Sequence, residues 1–245
     1  MPQQREPAGP RVPDVPTSDS ARLVAGHRSV CRYDDLAAVV RGRPARLGLV
    51  RLVAIDGGTG SGKTVFAGRL AGALARTGTR VEVVHTDDLL DGWADQFTFW
   101  PRLEETVLRP LGRGEPARQP RYDWAAGRFG QPRVLPVPQV LILDGVGTAR
   151  TAAAALVSFA VLVVAGRAAA LRRALRRDGR PEVEPVLRRW QEAEAGWYRG
   201  DGTATRVDTV VDGDPAVRHD PEQEFVTIGE VDAWTRPRTA DRGSP

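Results

Sequence analysis

Cysteine, methionine and lysine are each represented once in this 245-residue chain, and long apolar runs are missing. Cys31 stands alone, which excludes an intramolecular disulfide and any multi-cysteine zinc site. A lone thiol suits a reducing cytoplasm, the compartment expected here. The longest mostly apolar run, Ala152–Ala165, is 14 residues with Ser158 inside it. A membrane span needs about 20 residues, so the run reads as a buried strand with an apolar lead-in, and no membrane role is expected. The opening stretch MPQQREPAGPRVPDVPTSDS has no apolar segment of the secretory type. Lys/Arg blocks interleaved with aromatics are also missing. The net charge of +4 and pI of about 9.9 arise from 35 basic residues spread among 31 acidic ones, so a nucleic-acid partner is not expected.

What is present reads as one α/β domain. Residues 1–20 are proline-rich and polar, and 235–245 (TRPRTADRGSP) resemble them, so both are expected to be disordered tails around a single domain at 21–234. Five short apolar runs, Leu52–Ile55, Val81–His85, Val140–Leu143, Phe159–Val164 and Val207–Val211, have the composition of parallel strands covered on both faces. Helical patterns alternate with them at Lys63–Arg76, Phe97–Leu111, Ala168–Arg177 and Pro185–Tyr198, and Asp34–Arg41 adds a helix before the first strand. The alternation predicts a three-layer fold with a parallel sheet of about five strands flanked by helices. Residues 112–138 break the pattern with five prolines and little periodicity, but their Tyr, Trp and Phe favour a folded insertion over a spacer.

The single lysine lies in GGTGSGKT. Gly57, Gly58, Thr59, Gly60, Ser61, Gly62, Lys63 and Thr64 match the phosphate-loop (Walker A) pattern, with a strand before it and a helix after it. Glycines let successive N–H groups curl around phosphate oxygens, and the helix N-terminus adds donors and partial positive charge. Lys63 is expected at the β- and γ-phosphates and the Thr64 hydroxyl on Mg²⁺. Arginine's planar fork does not replace a compact ammonium in such a cradle, which explains one lysine in an arginine-rich chain. ATP and Mg²⁺ are therefore the expected cofactors. With no second lysine, the Asn-Lys-x-Asp element of GTPases cannot exist. A transporter signature and an Asp-Glu pair after Val140–Leu143 are missing too, which disfavours energy-transducing ATPases and leaves a small phosphotransferase.

Acids follow the strands. Asp87 and Asp88 come directly after Val81–His85, where a parallel sheet gathers its ligands. A kinase needs a carboxylate there to orient and deprotonate the attacking hydroxyl. Asp87 is the first choice for that base and a metal-side ligand, with Asp88 and Asp91 as helpers; helix capping is the plainer alternative. Asp144 ends the third strand, in position to support Mg²⁺ or simply to form a turn before Gly145. Arg172, Arg173, Arg176 and Arg177 lie on one short helix within residues 167–181, a candidate lid. Arg173 and Arg177 share a face and suit charge neutralisation in phosphoryl transfer, although a solvated basic face gives the same pattern. Trp93, Phe97, Phe99, Trp100, Tyr122 and Trp124 either stack on a flat acceptor or form the core of the insertion.

As a set, these motifs resemble the uridine kinase-like branch of the P-loop nucleoside and nucleoside monophosphate kinases. The resemblance runs from Leu49 to Asp214 through GGTGSGKT, TDDLL, YDW, LILDGV, RRALRRD and RVDTVVDG. It is greatest to predicted uridine kinase-like ATP-binding proteins with an Asp-Asp-Leu…Gly-Trp element, here Asp87-Asp88-Leu89 and Gly92-Trp93. It implies that Gly57–Thr64 hold ATP and Mg²⁺, that Asp87 is the base, that Tyr122 and Asp123 touch the acceptor, and that Arg173 and Arg177 belong to the lid. Three places depart from the family: Leu90 replaces a Tyr, Asp95–Pro101 replaces an Asp-His-Pro segment, and Ala125–Gly127 stand where a His is sought.

The expected activity is Mg-ATP-dependent phosphorylation of a hydroxyl on a small molecule, a nucleoside first. The acceptor-side residues would be Asp88, Tyr122, Asp123 and Trp93. Kinases of another small alcohol (a sugar, a vitamin precursor or an antibiotic) and a non-catalytic ATP-binding regulator are the alternatives. Homo-oligomerisation is left open.

Overall fold

Strand by strand, side chains on the central sheet alternate between two apolar layers. The structure, a computed structural model, describes residues 27–179 and 181–229. The tails expected at 1–20 and 235–245 lie outside the described residues, as do position 180 in the candidate lid and both ends of the 21–234 span. The elements are β1 (Arg28–Arg32), α1 (Tyr33–Gly42), β2 (Arg51–Asp56), α2 (Lys63–Arg76) and β3 (Val81–His85). A continuous helix α3 runs through Trp100–Leu103, Glu104–Leu108 and Arg109–Gly112. Then come β4 (Ala117–Gln119), β5 (Tyr122–Asp123), β6 (Arg128–Phe129), β7 (Arg133–Leu135), β8 (Val140–Asp144) and β9 (Val157–Val164). Helices α4 (Arg167–Asp178) and α5 (Glu184–Asp201) precede β10 (Thr209–Asp212) and β11 (Glu224–Ile228).

All five expected strands are present and parallel, in the order β3-β8-β2-β9-β10. Val53, Ile55 and Ile142 point into one layer with Leu36 and Val40 of α1 and Phe66, Leu70 and Leu74 of α2. Leu52, Leu141 and Leu143 point into the other, with Leu103, Leu108 and Leu111 of α3. This period-two division makes a three-layer domain from near-continuous apolar strands. Because β8 and β9 flank β2 on opposite sides, the chain reverses its direction of winding there. The crevice at the carboxyl ends of these strands is where such folds bind ligands.

Two strands extend the sheet beyond the expected five. β11 pairs antiparallel with β10, and β1 pairs antiparallel with β11, so the sheet has seven strands and is not wholly parallel. Arg28–Arg32 carries too few apolar residues to read as a strand in isolation. Its partner is fixed by packing: Phe225 of β11 sits 5.1 Å from the Tyr33 ring and 5.2 Å from that of Phe66. The segment EFVTI, left open in the sequence reading, is thus a sheet strand.

α3 begins at Trp100, later than the expected Phe97, with Pro101 in its first turn where a missing N–H is harmless. Pro110 lies further inside and would crowd the carbonyl one turn back. The helix widens into a π turn over Glu104–Leu108, where the Arg109 N–H bonds the Glu104 carbonyl. Residues 112–138 do fold: β4 pairs with β7, and β5 with β6 inside them, as nested hairpins.

Candidate active site

The phosphate loop occupies the turn between β2 and α2. Gly62 caps α2 with φ of 102°, a left-handed conformation that favours glycine, and Lys63 is buried at the first helical position. Gly60 is needed for closeness as well as for its φ of 80°. A Cβ there would collide with the Ala170 carbonyl of α4, so the arginine-bearing helix is seated directly on the loop. On the other rim, a Cβ at Gly213 would meet the Ser61 carbonyl, which brings the turn after β10 against the loop. Arg173 donates to the carbonyl of Gly213 at 2.8 Å and pairs with Asp214, so it stands at this rim. Arg172, Arg176 and Arg177 are exposed.

Asp56, the last residue of β2, organises the base of the loop. Its buried carboxylate accepts the N–H groups of Gly57, Gly147 and Ala149, each at 2.8 Å, and the Tyr198 hydroxyl at 2.7 Å. Burial raises its pKa against the opposing pull of those donors. One side chain therefore ties the phosphate loop, the loop after β8 and α5 together. The sequence reading passed over it because a strand-ending Asp before a glycine resembles any turn residue.

At the ends of β3 and β8 the expected acids divide by environment. Asp87 and Asp88 lie on a 3₁₀ turn, Thr86–Leu89. Gln119 of β4 donates to Asp88 at 3.1 Å, and Arg121 is 4.0 Å away, so Asp88 links the crevice to the insertion. The Asp87 carboxylate is half-buried and accepts no hydrogen bond from any described residue. Asp144 is buried, with Oδ2 2.8 Å from His85 Nδ1 and Oδ1 lacking a partner. The hydrogen bond to Asp144 raises the His85 pKa; burial opposes it, while the charges of Asp144, Asp88 and Asp87 add to it. His85 was not singled out from sequence, since a His ending a strand has no pattern of its own.

The aromatics expected on the acceptor side form a ladder along α5. Trp93 lies 5.2 Å from Trp124 and 4.8 Å from Trp190, Tyr122 lies 5.1 Å from Trp124, and Phe97 stacks on Trp197 at 5.0 Å. Gln96 donates to Glu194 at 2.7 Å. Trp190, Glu194 and Trp197 are spaced four and three apart and so share one helical face, a signal present in the sequence but unused. Trp93 and Trp124 remain exposed at the surface. Asp123 Oδ1 accepts the N–H groups of Ala125 and Ala126 at 3.0 and 2.9 Å, closing the β5–β6 turn. Arg150, also missed, is buried with its guanidinium 4.8–4.9 Å from the Phe99, Trp100 and Trp197 rings.

For Mg²⁺, the fit is that of a site with few protein ligands. The described residues contain no group of three or more His, Cys, Asp or Glu arranged to hold a metal. Magnesium at phosphate sites commonly uses one or two protein oxygens, waters and the phosphates themselves. The Thr64 hydroxyl at the start of α2 and the unpartnered Asp144 Oδ1 suit that arrangement.

No protein-family profile matches the chain and no curated protein is significantly similar to it. Solved structures are similar. A possible uridine kinase from Bacillus stearothermophilus superposes with a TM-score of 0.57 at 20% identity, covering 73% of this chain and 96% of that one. A candidate fructose transport system kinase from Silicibacter sp. TM1040 does so with a TM-score of 0.50 at 22% identity, covering 70% and 90%. The fold is that of the P-loop kinases. Its neighbours include a uridine kinase-like structure, as the motif resemblance implied. Within this P-loop kinase fold, the described residues contain no helix long and apolar enough to cross a membrane.

Proposed function

We propose that the protein is a Mg-ATP-dependent kinase that transfers the γ-phosphate to a hydroxyl of a small molecule, a nucleoside first, in the cytoplasm. The observation that carries this reading is the setting of Asp87: a carboxylate that bonds to none of the described residues, near enough to His85 to act on its charge, at the carboxyl edge of the sheet that also ends in the phosphate loop. Asp88 and Asp144 are held by neighbours, which leaves Asp87 to take a proton from an incoming hydroxyl. Lys63 and the loop N–H groups bind the phosphates, and Arg173 at the rim offsets charge on the transferring group. Mg²⁺, when bound through Thr64 and Asp144, supplies neutralisation of phosphate charge. Trp93 and Tyr122 offer aromatic faces to a flat acceptor, with Asp88 beside them through the insertion. The buried free thiol of Cys31 is in keeping with a reducing compartment.

The test is acceptor-dependent ADP formation by the purified protein against nucleosides, sugars and other small alcohols. The expected result is turnover with at least one acceptor that falls about 10²–10⁴-fold in Asp87→Asn, the usual contribution of a positioned base. Tight ATP binding with no acceptor-dependent turnover on the whole panel would instead favour an ATP-binding regulator.

A further inference from the structure

A carboxylate already sits on the phosphate loop. Glu194 of α5 is 3% exposed. It accepts the Thr59 backbone N–H at 3.0 Å, the Thr59 hydroxyl at 2.5 Å and Gln96 Nε2 at 2.7 Å. Its Oε2 lies 3.0 Å from the place a Cβ on Gly58 would take, so it lies close over the loop's second residue. Lys63 attracts it electrostatically, and burial raises the pKa of its carboxyl. In sign, hydrogen-bonding capacity and position, the group does what a phosphate oxygen does in such a loop. A purely structural strut to a phosphate loop would not need a negative charge that repels the loop's ligand.

Resting on the nucleotide-binding reading of this loop, we infer that Glu194 is a built-in occupant of the phosphate cradle, displaced from Thr59 by the terminal phosphate of the nucleotide. Thr59 is the third residue of the eight, ahead of the donors of Gly62, Lys63 and Thr64 at the helix start, so displacement depends on the third phosphate more than on the second. The same event releases Gln96, because one carboxylate bonds both. Gln96 lies between Trp93 and Phe97, which pack on Trp190 and Trp197 of the same helix. Nucleotide arrival thereby loosens the acceptor-side segment and favours nucleotide-first binding. The lid end of α5 can respond, since Leu171, Ala174, Val183 and Leu187 form a small apolar cluster of α4, α5 and the turn between them, separate from the two main layers.

The experiment is titration calorimetry of the full chain with Mg-ATP and with Mg-ADP, comparing wild type, Glu194→Gln and Gln96→Leu. An occupant present nine-tenths of the time weakens apparent affinity about tenfold, so Glu194→Gln is expected to bind Mg-ATP about tenfold more tightly. Mg-ADP should change less. Gln96→Leu removes one donor to the carboxylate without touching the loop and should shift Mg-ATP affinity in the same direction by a smaller factor; it also serves if Glu194→Gln does not fold. Unchanged or weaker Mg-ATP binding in the variants, or an equal gain for both nucleotides, overturns the inference. If neither wild type nor variant binds either nucleotide, the inference falls together with the nucleotide reading. The expected binding shifts without acceptor-dependent turnover would keep the occupant and remove only the kinase.

Discussion

The phosphate-loop wall and the aromatic wall of the crevice are built by opposite means. Around Gly57–Thr64, backbone groups do the work and neighbouring backbone encloses them: α4 abuts Gly60, the turn after β10 abuts Ser61, and Asp56 bonds the first N–H. In the aromatic wall, side chains from three separated segments meet: Trp93, then Tyr122 and Trp124 of the hairpin, then Trp190 of α5. A backbone cradle tolerates almost no change at its glycines but asks little of the rest of the chain. A side-chain wall is easily altered and depends on how distant segments pack. This difference accounts for a phosphate loop that matches its pattern at every defining position beside an aromatic wall whose neighbourhood departs from the pattern it resembles at Leu90, Asp95–Pro101 and Ala125–Gly127.

The comparison can be broken most severely at Lys63. Lys63→Ala should lower kcat/KM by about 10²–10³-fold, the scale of losing one preorganised donor to developing charge, as read by steady-state ADP release. Next is Gly60→Val, which drives a side chain into the Ala170 carbonyl. Nucleotide affinity should fall by about five- to 150-fold in calorimetry, because a clash of about 1–3 kcal/mol must be relieved by moving α4 or the loop. On the other wall, Trp93→Ala should raise the acceptor KM about two- to tenfold and leave nucleotide affinity unchanged, as expected for one ring contact of about 0.5–1.5 kcal/mol. An equal loss on both sides would show that the two walls are one mechanical unit.

Two smaller effects sharpen the boundary. Asp123→Ala should lower stability by about 0.5–1.5 kcal/mol in denaturant titration through the lost turn hydrogen bonds, with acceptor KM unchanged. A raised KM would restore the acceptor contact that the family resemblance implies. His85→Asn probes the raised pKa. The stabilisation from charged His85 against Asp144 is complete below the unfolded value of about 6.5 and is lost as pH rises through the higher folded value. The melting-temperature gap between wild type and His85→Asn should therefore be largest below about pH 6.5 and shrink as pH rises above it.

Much of this was legible in one dimension. The five parallel strands, the helix after the phosphate loop and the folded character of the insertion follow from apolar period, glycine spacing and aromatic content, which are local properties. β1 was not legible, because RSVCR becomes a strand only by pairing with β11, and β11 is held by Phe225 against Tyr33 and Phe66. Asp123 was legible as a motif position, but its turn hydrogen bonds depend on the backbone path that follows it. His85 and Arg150 left no trace, and the spacing of Glu194 between Trp190 and Trp197 showed a shared helical face but not what that face meets, since a lone ionisable residue takes its meaning from what is brought to it.

By itself, then, the sequence determined the phosphate cradle: a single lysine, a run of glycines and a following helix create aligned backbone donors wherever they are placed, because that geometry is made of neighbours in the chain. Only the tertiary structure decided which acids are free and which are held, and that Glu194, more than a hundred residues downstream, lies against Thr59. Burial, hydrogen-bond partners and the distance between charges are set by packing, and they decide which of many carboxylates can act.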